Sequence, residues 1–227
     1  MFDIIFLDLD DTIFDFGAAE VRALETVLRH FGISMTKEHA ASYSEINNAH
    51  WKRLERGELT RREVQIGRFS VFLSQINSSA DPDEANRIFM DTIAQTVCFF
   101  EGAEQLLRDL RAMGKRLYVV SNATRSVQLR RLEKAGLTQA FDDVFLSEDI
   151  GSQKPSREFF DRCFEMVSDM KLDRSIILGD SLTSDIQGGI NAGIATCWFN
   201  PRQKDERADI IPDFEIQHLS DFIELVK

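Results

Sequence analysis

Short apolar runs alternate with helical stretches over much of the chain, and this alternation restricts the fold more than any other feature. Buried strands are predicted at the apolar runs 4–9, 116–120, 143–146, 175–178 and 196–199. Apolar residues at helical spacing predict helices over 103–113, 125–135, 156–170, 183–192 and 219–226. Near-continuous apolar strands separated by helices are typical of a parallel sheet covered on both faces. The pattern therefore predicts an α/β fold with a doubly wound, Rossmann-like parallel sheet.

The segment between the first strand and residue 101 has a different character, because it is helical throughout. Thr60 and Glu63 have the spacing of a capping box at the start of one of its helices. We therefore predict an α/β core formed by residues 1–14 and 101–227, with an all-helical domain inserted at residues 15–100.

The charge and cysteine content restrict the partners and the compartment. The formal net charge is −11, and a surface of this sign repels nucleic acids and anionic membranes. The apolar N-terminal run is too short for a signal peptide, and no stretch approaches the ~20 apolar residues of a membrane span. Cys98, Cys163 and Cys197 are widely spaced, which disfavours disulfides. We expect a cytoplasmic protein, a monomer or weak dimer, with no nucleic-acid or membrane partner.

Acids, a hydroxyl and a lysine follow the predicted strands at the points where the strands end. Ligands bind at the carboxyl ends of the strands in doubly wound sheets. The residues concerned are Asp8, Asp10, Asp11 and Thr12 after the first strand, Ser121 and Asn122 after the second, Lys154 after the third, and Asp180 and Asp185 after the fourth. We expect these side chains to converge at one edge of the sheet.

The spacing of the first two acids indicates a cation site. Asp8 and Asp10 lie two positions apart, on the same face of the strand end. Two close carboxylates repel unless a cation or a shared proton lies between them. Magnesium prefers hard oxygen ligands and suits a site made of carboxylates and a substrate phosphate. Taken singly, these residues also have ordinary explanations, since Asp favours turns, Ser and Asn cap helices, and a loop lysine is usually solvated.

Four motifs in this order resemble those of the haloacid dehalogenase (HAD) superfamily of phosphotransferases. They are Asp8-Leu9-Asp10-Asp11-Thr12, Ser121-Asn122, Lys154-Pro155 and Gly179-Asp180-Ser181-Leu182-Thr183-Ser184-Asp185. The resemblance implies a magnesium-dependent phosphatase with an inserted helical cap that closes over the site and selects the leaving group. Dehalogenases of this superfamily lack an acid at the place of Asp10, so that residue favours phosphate chemistry.

The resemblance also implies a role for each motif residue. Asp8 would attack phosphorus and form an aspartyl-phosphate, and Asp10 would act as general acid and then as general base. Ser121 and Asn122, with the following backbone amides, would hold phosphoryl oxygens. Lys154 would neutralise negative charge on Asp8 and on the transferring phosphoryl group. The magnesium site would comprise Asp8, Asp10 through its backbone carbonyl, Asp180, and Asp185, which would orient a metal-bound water or Lys154.

The similarity extends to the bacterial pyrimidine 5′-nucleotidases, which act on nucleoside monophosphates. The segments that carry this resemblance are 7–16, 45–47 with Trp51, 147–155, 179–186, 196–201 and 210–213. Ala123 departs from the pattern, since that branch commonly has Gly there. Tyr43 or Trp51 are candidates to stack on a nucleobase, and Asn47 or Arg68 to read its polar edge, although helical spacing favours core packing for the aromatic residues.

The sequence is also compatible with other functions. One alternative is a related phosphatase that acts on a sugar phosphate or phosphoglycolate. Another is a mutase, which transfers the phosphoryl group between sugar positions. A signalling receiver phosphorylated on Asp is a different class, but receivers carry the phosphoacceptor on another strand and have no helical insertion. A catalytically inactive scaffold is disfavoured because Asp8, Asp10, Lys154 and Asp180 are all present.

Overall fold

All the strands that the computed structural model describes, over residues 1–204 and 209–227, form one six-stranded sheet. The strands are β1 (Ile4–Leu7), β2 (Arg116–Ser121), β3 (Asp143–Leu146), β4 (Ser175–Gly179), β5 (Ala195–Phe199) and β6 (Phe214–Ile216). Their order is β3-β2-β1-β4-β5-β6, and every neighbouring pair is parallel. The predicted doubly wound parallel sheet is confirmed.

The described residues fall into two compact units, 1–15 with 98–227 and 16–97. The first unit is the α/β core, and its helices are α5 (Ala103–Ala112), α6 (Arg125–Lys134), α7 (Ser147–Ile150), α8 (Arg157–Glu165), α9 (Gln187–Ala192) and α10 (Asp221–Val226). The second unit holds α1 (Phe16–His30), α2 (Lys37–Glu55), α3 (Arg61–Gln75) and α4 (Pro82–Gln95). The function of this second unit as a cap stays a prediction. Within the described residues, no helix has the length and apolar character that crossing a membrane requires.

The register of the sheet brings the carboxyl ends of the central strands level with one another. Leu7 at the end of β1 pairs with Val119 of β2 on one side and with Leu178 of β4 on the other. Helix α9 packs so closely on the sheet that a Cβ on Gly189 would lie 2.6 Å from the Ile177 and Thr196 methyl groups. This close packing fixes the segment between β4 and α9, which carries two of the predicted site acids.

Of the predicted boundaries that differ from the structure, three have a clear local reason. The first strand ends at Leu7 rather than residue 9, because the Leu9 carbonyl accepts hydrogen bonds from Ile13 and Phe14 and turns the chain out of the sheet. The helix predicted to reach residue 170 ends at Glu165, and Asp169 has a left-handed backbone (φ +49°) that no α-helix continues through. The helix predicted from residue 183 starts as a wide turn, Leu182–Ile186, before α9 begins.

The helical unit has its own aromatic core around Tyr43. This side chain is fully buried, and its ring centroid lies 5.0 Å from that of Phe69, 5.3 Å from Phe72 and 5.4 Å from Phe89. Tyr43 is therefore a packing residue, as the helical spacing favoured, and its candidacy as a base-stacking platform is wrong. Trp51 is half-buried.

The two polar candidates of the helical unit are also internal. Arg68 Nη1 donates to Asn47 Oδ1 at 2.9 Å, and Asn47 Nδ2 donates to Glu20 Oε1 at 2.8 Å. Arg68 Nη2 donates to Asn86 Oδ1 at 2.9 Å. Because Asn47 and Arg68 are buried and bonded to one another, their assignment as readers of a nucleobase edge is not supported by their surroundings.

Candidate active site

A buried lysine joins two of the predicted site acids at the end of β1. Asp8 follows the last residue of β1 and is 7% exposed, and Lys154 is 2% exposed. Lys154 Nζ donates to Asp8 Oδ1 at 2.6 Å, to Asp185 Oδ1 at 2.7 Å and to the Val120 carbonyl at 2.7 Å. All three protons of the ammonium group are therefore directed at acceptors, and these three hydrogen bonds hold the cation in one position.

The buried charges at this point alter the acidity of both partners. Burial raises the pKa of Asp8 well above its ordinary value; the carboxylates of Asp185 and Asp10 add to the rise, and Lys154 opposes it. Burial alone would lower the pKa of Lys154, but the carboxylates of Asp185 and Asp8 raise it above its ordinary value. Lys154 is thus a permanent cation at neutral pH, beside an acid whose charge is destabilised by its surroundings.

Three carboxylates in this part of the core converge closely enough to share one cation. Asp8, Asp180 and Asp185 each offer an oxygen, and these oxygens all lie within 4.8 Å of one another. Three hard oxygen donors from carboxylates are the ligand chemistry that magnesium prefers, so the residues fit that ion. The Asp10 side chain is not part of this group, and the predicted metal contact through its backbone carbonyl stays a prediction.

The loop after β4 positions the other two acids of this group. A Cβ on Gly179 would lie 2.3 Å from the Asp185 carboxyl carbon, so only glycine lets Asp185 approach the end of the strand. The Ser181 amide donates to Asp185 Oδ2 at 3.1 Å. The Trp198 indole donates to the Asp180 carbonyl at 2.9 Å and fixes the backbone that carries the third acid.

A second lysine, which the sequence did not indicate, lies beside Asp180. Lys204 Nζ is 3.2 Å from Asp180 Oδ2. The side chain of Asn200 places this lysine, since it accepts a hydrogen bond from the Lys204 amide at 2.8 Å and donates to the Lys204 carbonyl at 3.1 Å. Burial raises the pKa of Asp180 to about 7, with Lys204 opposing the rise and Asp11 and Asp185 adding to it.

The two residues predicted to bind phosphate have different surroundings. The Ser121 hydroxyl is buried at the end of β2 and accepts from the Ala123 amide at 3.2 Å. The Asn122 side chain is bound to the backbone of Lys154: its Oδ1 accepts from the Lys154 amide and its Nδ2 donates to the Lys154 carbonyl, both at 2.9 Å. The Asn122 side chain therefore positions the backbone of Lys154, and the predicted contact of Asn122 with phosphate stays a prediction.

Asp10 is turned toward α6, where two residues bind its carboxylate. Gln128 Nε2 donates to Asp10 Oδ2 at 2.6 Å, and Arg131 Nη1 donates to Asp10 Oδ1. Neither residue of α6 was predicted as part of the site. A signal was available, since both lie at helical spacing with the apolar Val127 and Leu132, on the buried face of the helix.

Comparisons with known proteins identify the family of this chain. The family model for haloacid dehalogenase-like hydrolases matches residues 4–199. The Bacillus subtilis protein YfnB is 38% identical over 225 residues, which are 98% of this chain and 94% of YfnB. The crystal structure of YfnB bound to magnesium has a TM-score of 0.95 at 36% identity, and the match covers 100% of this chain and 99% of that one.

Two pyrimidine 5′-nucleotidases are similar over nearly their whole length. PynA of Streptococcus pneumoniae is 32% identical over 220 residues, 97% of this chain and 93% of PynA. YjjG of Escherichia coli is 31% identical over 224 residues, 99% of this chain and 97% of YjjG. Since the family model also matches residues 4–199, most of the chain, these likenesses establish that the chain belongs to the haloacid dehalogenase-like hydrolases.

Proposed function

We propose that this protein is a magnesium-dependent phosphomonoesterase that forms an aspartyl-phosphate on Asp8, and that its substrates are pyrimidine nucleoside 5′-monophosphates. The observation that carries the proposal is the buried Asp8 carboxylate, 2.6 Å from the Lys154 ammonium group and grouped with two further carboxylates. Such a carboxylate is held and electrostatically supported for attack on a bound phosphate.

The first step transfers the phosphoryl group to the protein. An Asp8 oxygen attacks phosphorus in line, the bond from phosphorus to the ester oxygen breaks, and Asp10 gives a proton to the leaving alkoxide. Lys154 offsets negative charge on Asp8 and the transferring group, and the Ser121 hydroxyl donates to a phosphoryl oxygen. Magnesium, when held by Asp8, Asp180 and Asp185, would reduce the repulsion between the anionic nucleophile and the anionic phosphate.

The second step releases phosphate. Asp10, now deprotonated, takes a proton from a water molecule, and the resulting hydroxide attacks phosphorus of the aspartyl-phosphate. The bond between phosphorus and the Asp8 oxygen breaks, so inorganic phosphate leaves and the Asp8 carboxylate is restored. The same side chain thus serves as acid in one step and as base in the next.

The choice of nucleotides rests on the relatives, since PynA and YjjG are pyrimidine 5′-nucleotidases with 31–32% identity over almost the entire chain. A small phosphomonoester is the expected partner. A sugar phosphate or phosphoglycolate is the second candidate class of substrate. The cytoplasmic location and the monomer or weak dimer stay predictions.

The test is a phosphatase screen of the purified protein with magnesium. The panel is UMP, dUMP, TMP, the purine monophosphates, a hexose phosphate, phosphoglycolate and p-nitrophenyl phosphate. We expect the highest kcat/KM for the pyrimidine nucleotides and no turnover in EDTA. A higher kcat/KM for phosphoglycolate or the hexose phosphate would overturn the substrate assignment, and no steady turnover of any phosphomonoester would overturn the phosphatase.

A matched pair of variants tests the nucleophile. Asp8→Asn should abolish turnover and also abolish transfer of radioactive phosphate to the protein in an acid-quenched reaction. Asp173→Asn makes the same chemical change at an exposed residue just before β4, at the opposite end of the sheet, and should leave activity unchanged. Labelled protein in the Asp8→Asn variant would show that another residue accepts the phosphoryl group.

A further inference from the structure

The side chain assigned as acid and base is held by a buried cation. Arg131 is 1% exposed, and its Nη1 donates to Asp10 Oδ1, while the Asp10 side chain remains 25% exposed. An arginine is rarely found so deeply buried without an anionic partner, because an unpaired buried guanidinium is very unfavourable. Among the described residues, the carboxylate bonded to this arginine is Asp10.

The packing around Arg131 leaves it little freedom to move. Its guanidinium carbon lies 4.6 Å from the centroid of the Phe14 ring, a cation–π arrangement. Phe14 in turn is bridged to Asp10 within the turn that follows β1. Nε and Nη2 of Arg131 have no hydrogen-bond partner in the described part of the chain, so this buried cation depends on few contacts. Among those contacts, the carboxylate of Asp10 is the partner of opposite charge.

Gln128 links the acid to the predicted phosphate site. Its Nε2 lies 2.6 Å from Asp10 Oδ2 and 3.3 Å from Ser121 Oγ, and its Oε1 accepts from Arg131 Nη1 at 3.1 Å. Both oxygens of Asp10 are therefore held from α6, and the same helix contacts the hydroxyl assigned to bind the phosphoryl group. The orientation of Asp10 is coupled to the position of Ser121 through one side chain.

We propose that Arg131 and Gln128 are positioning residues for the reaction, which orient the Asp10 carboxylate relative to the phosphate held at Ser121. The inference rests on the proposed function and adds two residues of α6 to it. Without them the carboxylate is free to rotate, and transfer of its proton to the leaving oxygen becomes slower. Loss of Arg131 or Gln128 should therefore slow only the steps that need this proton transfer.

The leaving group provides a measurement that separates this role from a merely structural one. The alkoxide leaving from UMP is a strong base and needs a proton from Asp10, whereas p-nitrophenolate is a weak base and leaves without one. Because kcat/KM reports the steps up to departure of the leaving group, it isolates the acid role of Asp10 for each substrate. A variant with a general folding defect would lose activity on both substrates equally.

The variants are Arg131→Met and Gln128→Leu, with Arg130→Met as the matched control at an exposed neighbour on the same helix. A positioned general acid contributes ~10²–10⁴-fold, so we expect Arg131→Met to reduce kcat/KM for UMP by about tenfold or more. For p-nitrophenyl phosphate we expect a change of less than about threefold on the same basis. Gln128→Leu should show the same split to a smaller degree, Arg131→Lys should recover part of the loss, and Arg130→Met should match the wild type.

A second measurement asks whether Arg131 acts through Asp10. In an Asp10→Asn background, adding Arg131→Met should cause no further loss on UMP, because the group being positioned is already inactive. Equal losses on both substrates, or additive losses in the double variant, would overturn the positioning role while leaving the phosphatase intact. Failure of the wild type on every phosphomonoester would instead overturn the proposed function, and the inference with it.

Discussion

Replacing Lys154 with Met removes the cation that holds two buried carboxylates together. The ammonium group donates to Asp8 and Asp185 at 2.6 and 2.7 Å, and these side chains are only 10% and 2% exposed. Removing one partner of a buried ion pair destabilises a protein by about 3–5 kcal/mol, because the remaining charge is left uncompensated. For a chain of this size, each kcal/mol shifts Tm by about 2–4 °C, so we expect Tm to fall by ~6–20 °C in EDTA.

Magnesium should reverse part of this loss. A divalent cation at the three clustered carboxylates would replace the missing positive charge, so it should raise Tm more in Lys154→Met than in the wild type. The assay is thermal unfolding followed by circular dichroism, with EDTA and with magnesium. Lys171→Met, at an exposed lysine before β4, is the control and should unfold like the wild type. A Lys154→Met variant with wild-type Tm in EDTA would refute the reasoning.

Further predictions concern the packing of the core, a helix cap and the thiols. Gly189→Ala should destabilise the protein by about 1–3 kcal/mol in urea unfolding, since the added methyl group meets side chains of the sheet; an unchanged midpoint would contradict this close packing. Thr60→Ala should cost about 1 kcal/mol through loss of the capping box, and full retention of stability would show that the cap contributes nothing. Burial raises the pKa of the Cys163 and Cys197 thiols to about 12, so in the native protein only Cys98 should be alkylated between pH 7 and 9. Mass spectrometry after iodoacetamide treatment would count the modified thiols, and native labelling of Cys197 would disprove this.

The general form of the fold could be predicted from local patterns. Apolar runs and helical periodicity depend on residues close in the chain, and they located the five strands β1 to β5 to within two residues at each end. The pattern at β6, three residues long, was too short to be recognised. The boundary errors arise where a backbone group outside the pattern decides the end, as the Leu9 carbonyl does after β1.

The candidate site was partly open to prediction for a topological reason. Parallel strands in register bring their carboxyl ends together, so polar residues that follow each strand meet although they are far apart in sequence. Asp8 and Lys154, 146 positions apart, are joined by a hydrogen bond in this way. The strand pattern alone was sufficient to expect it.

By itself the sequence determined that an α/β sheet forms and that Asp8, Lys154, Asp180 and Asp185 gather at one edge. Apolar periodicity is a local property, and the carboxyl ends of parallel strands meet at the same edge of a sheet. Only the tertiary structure decided which way each side chain turns: Asp10 toward Arg131, Asn122 toward the Lys154 backbone, and Lys204 toward Asp180. These contacts depend on how helices and loops pack against the sheet, and a buried charge finds its partner only when that packing is complete.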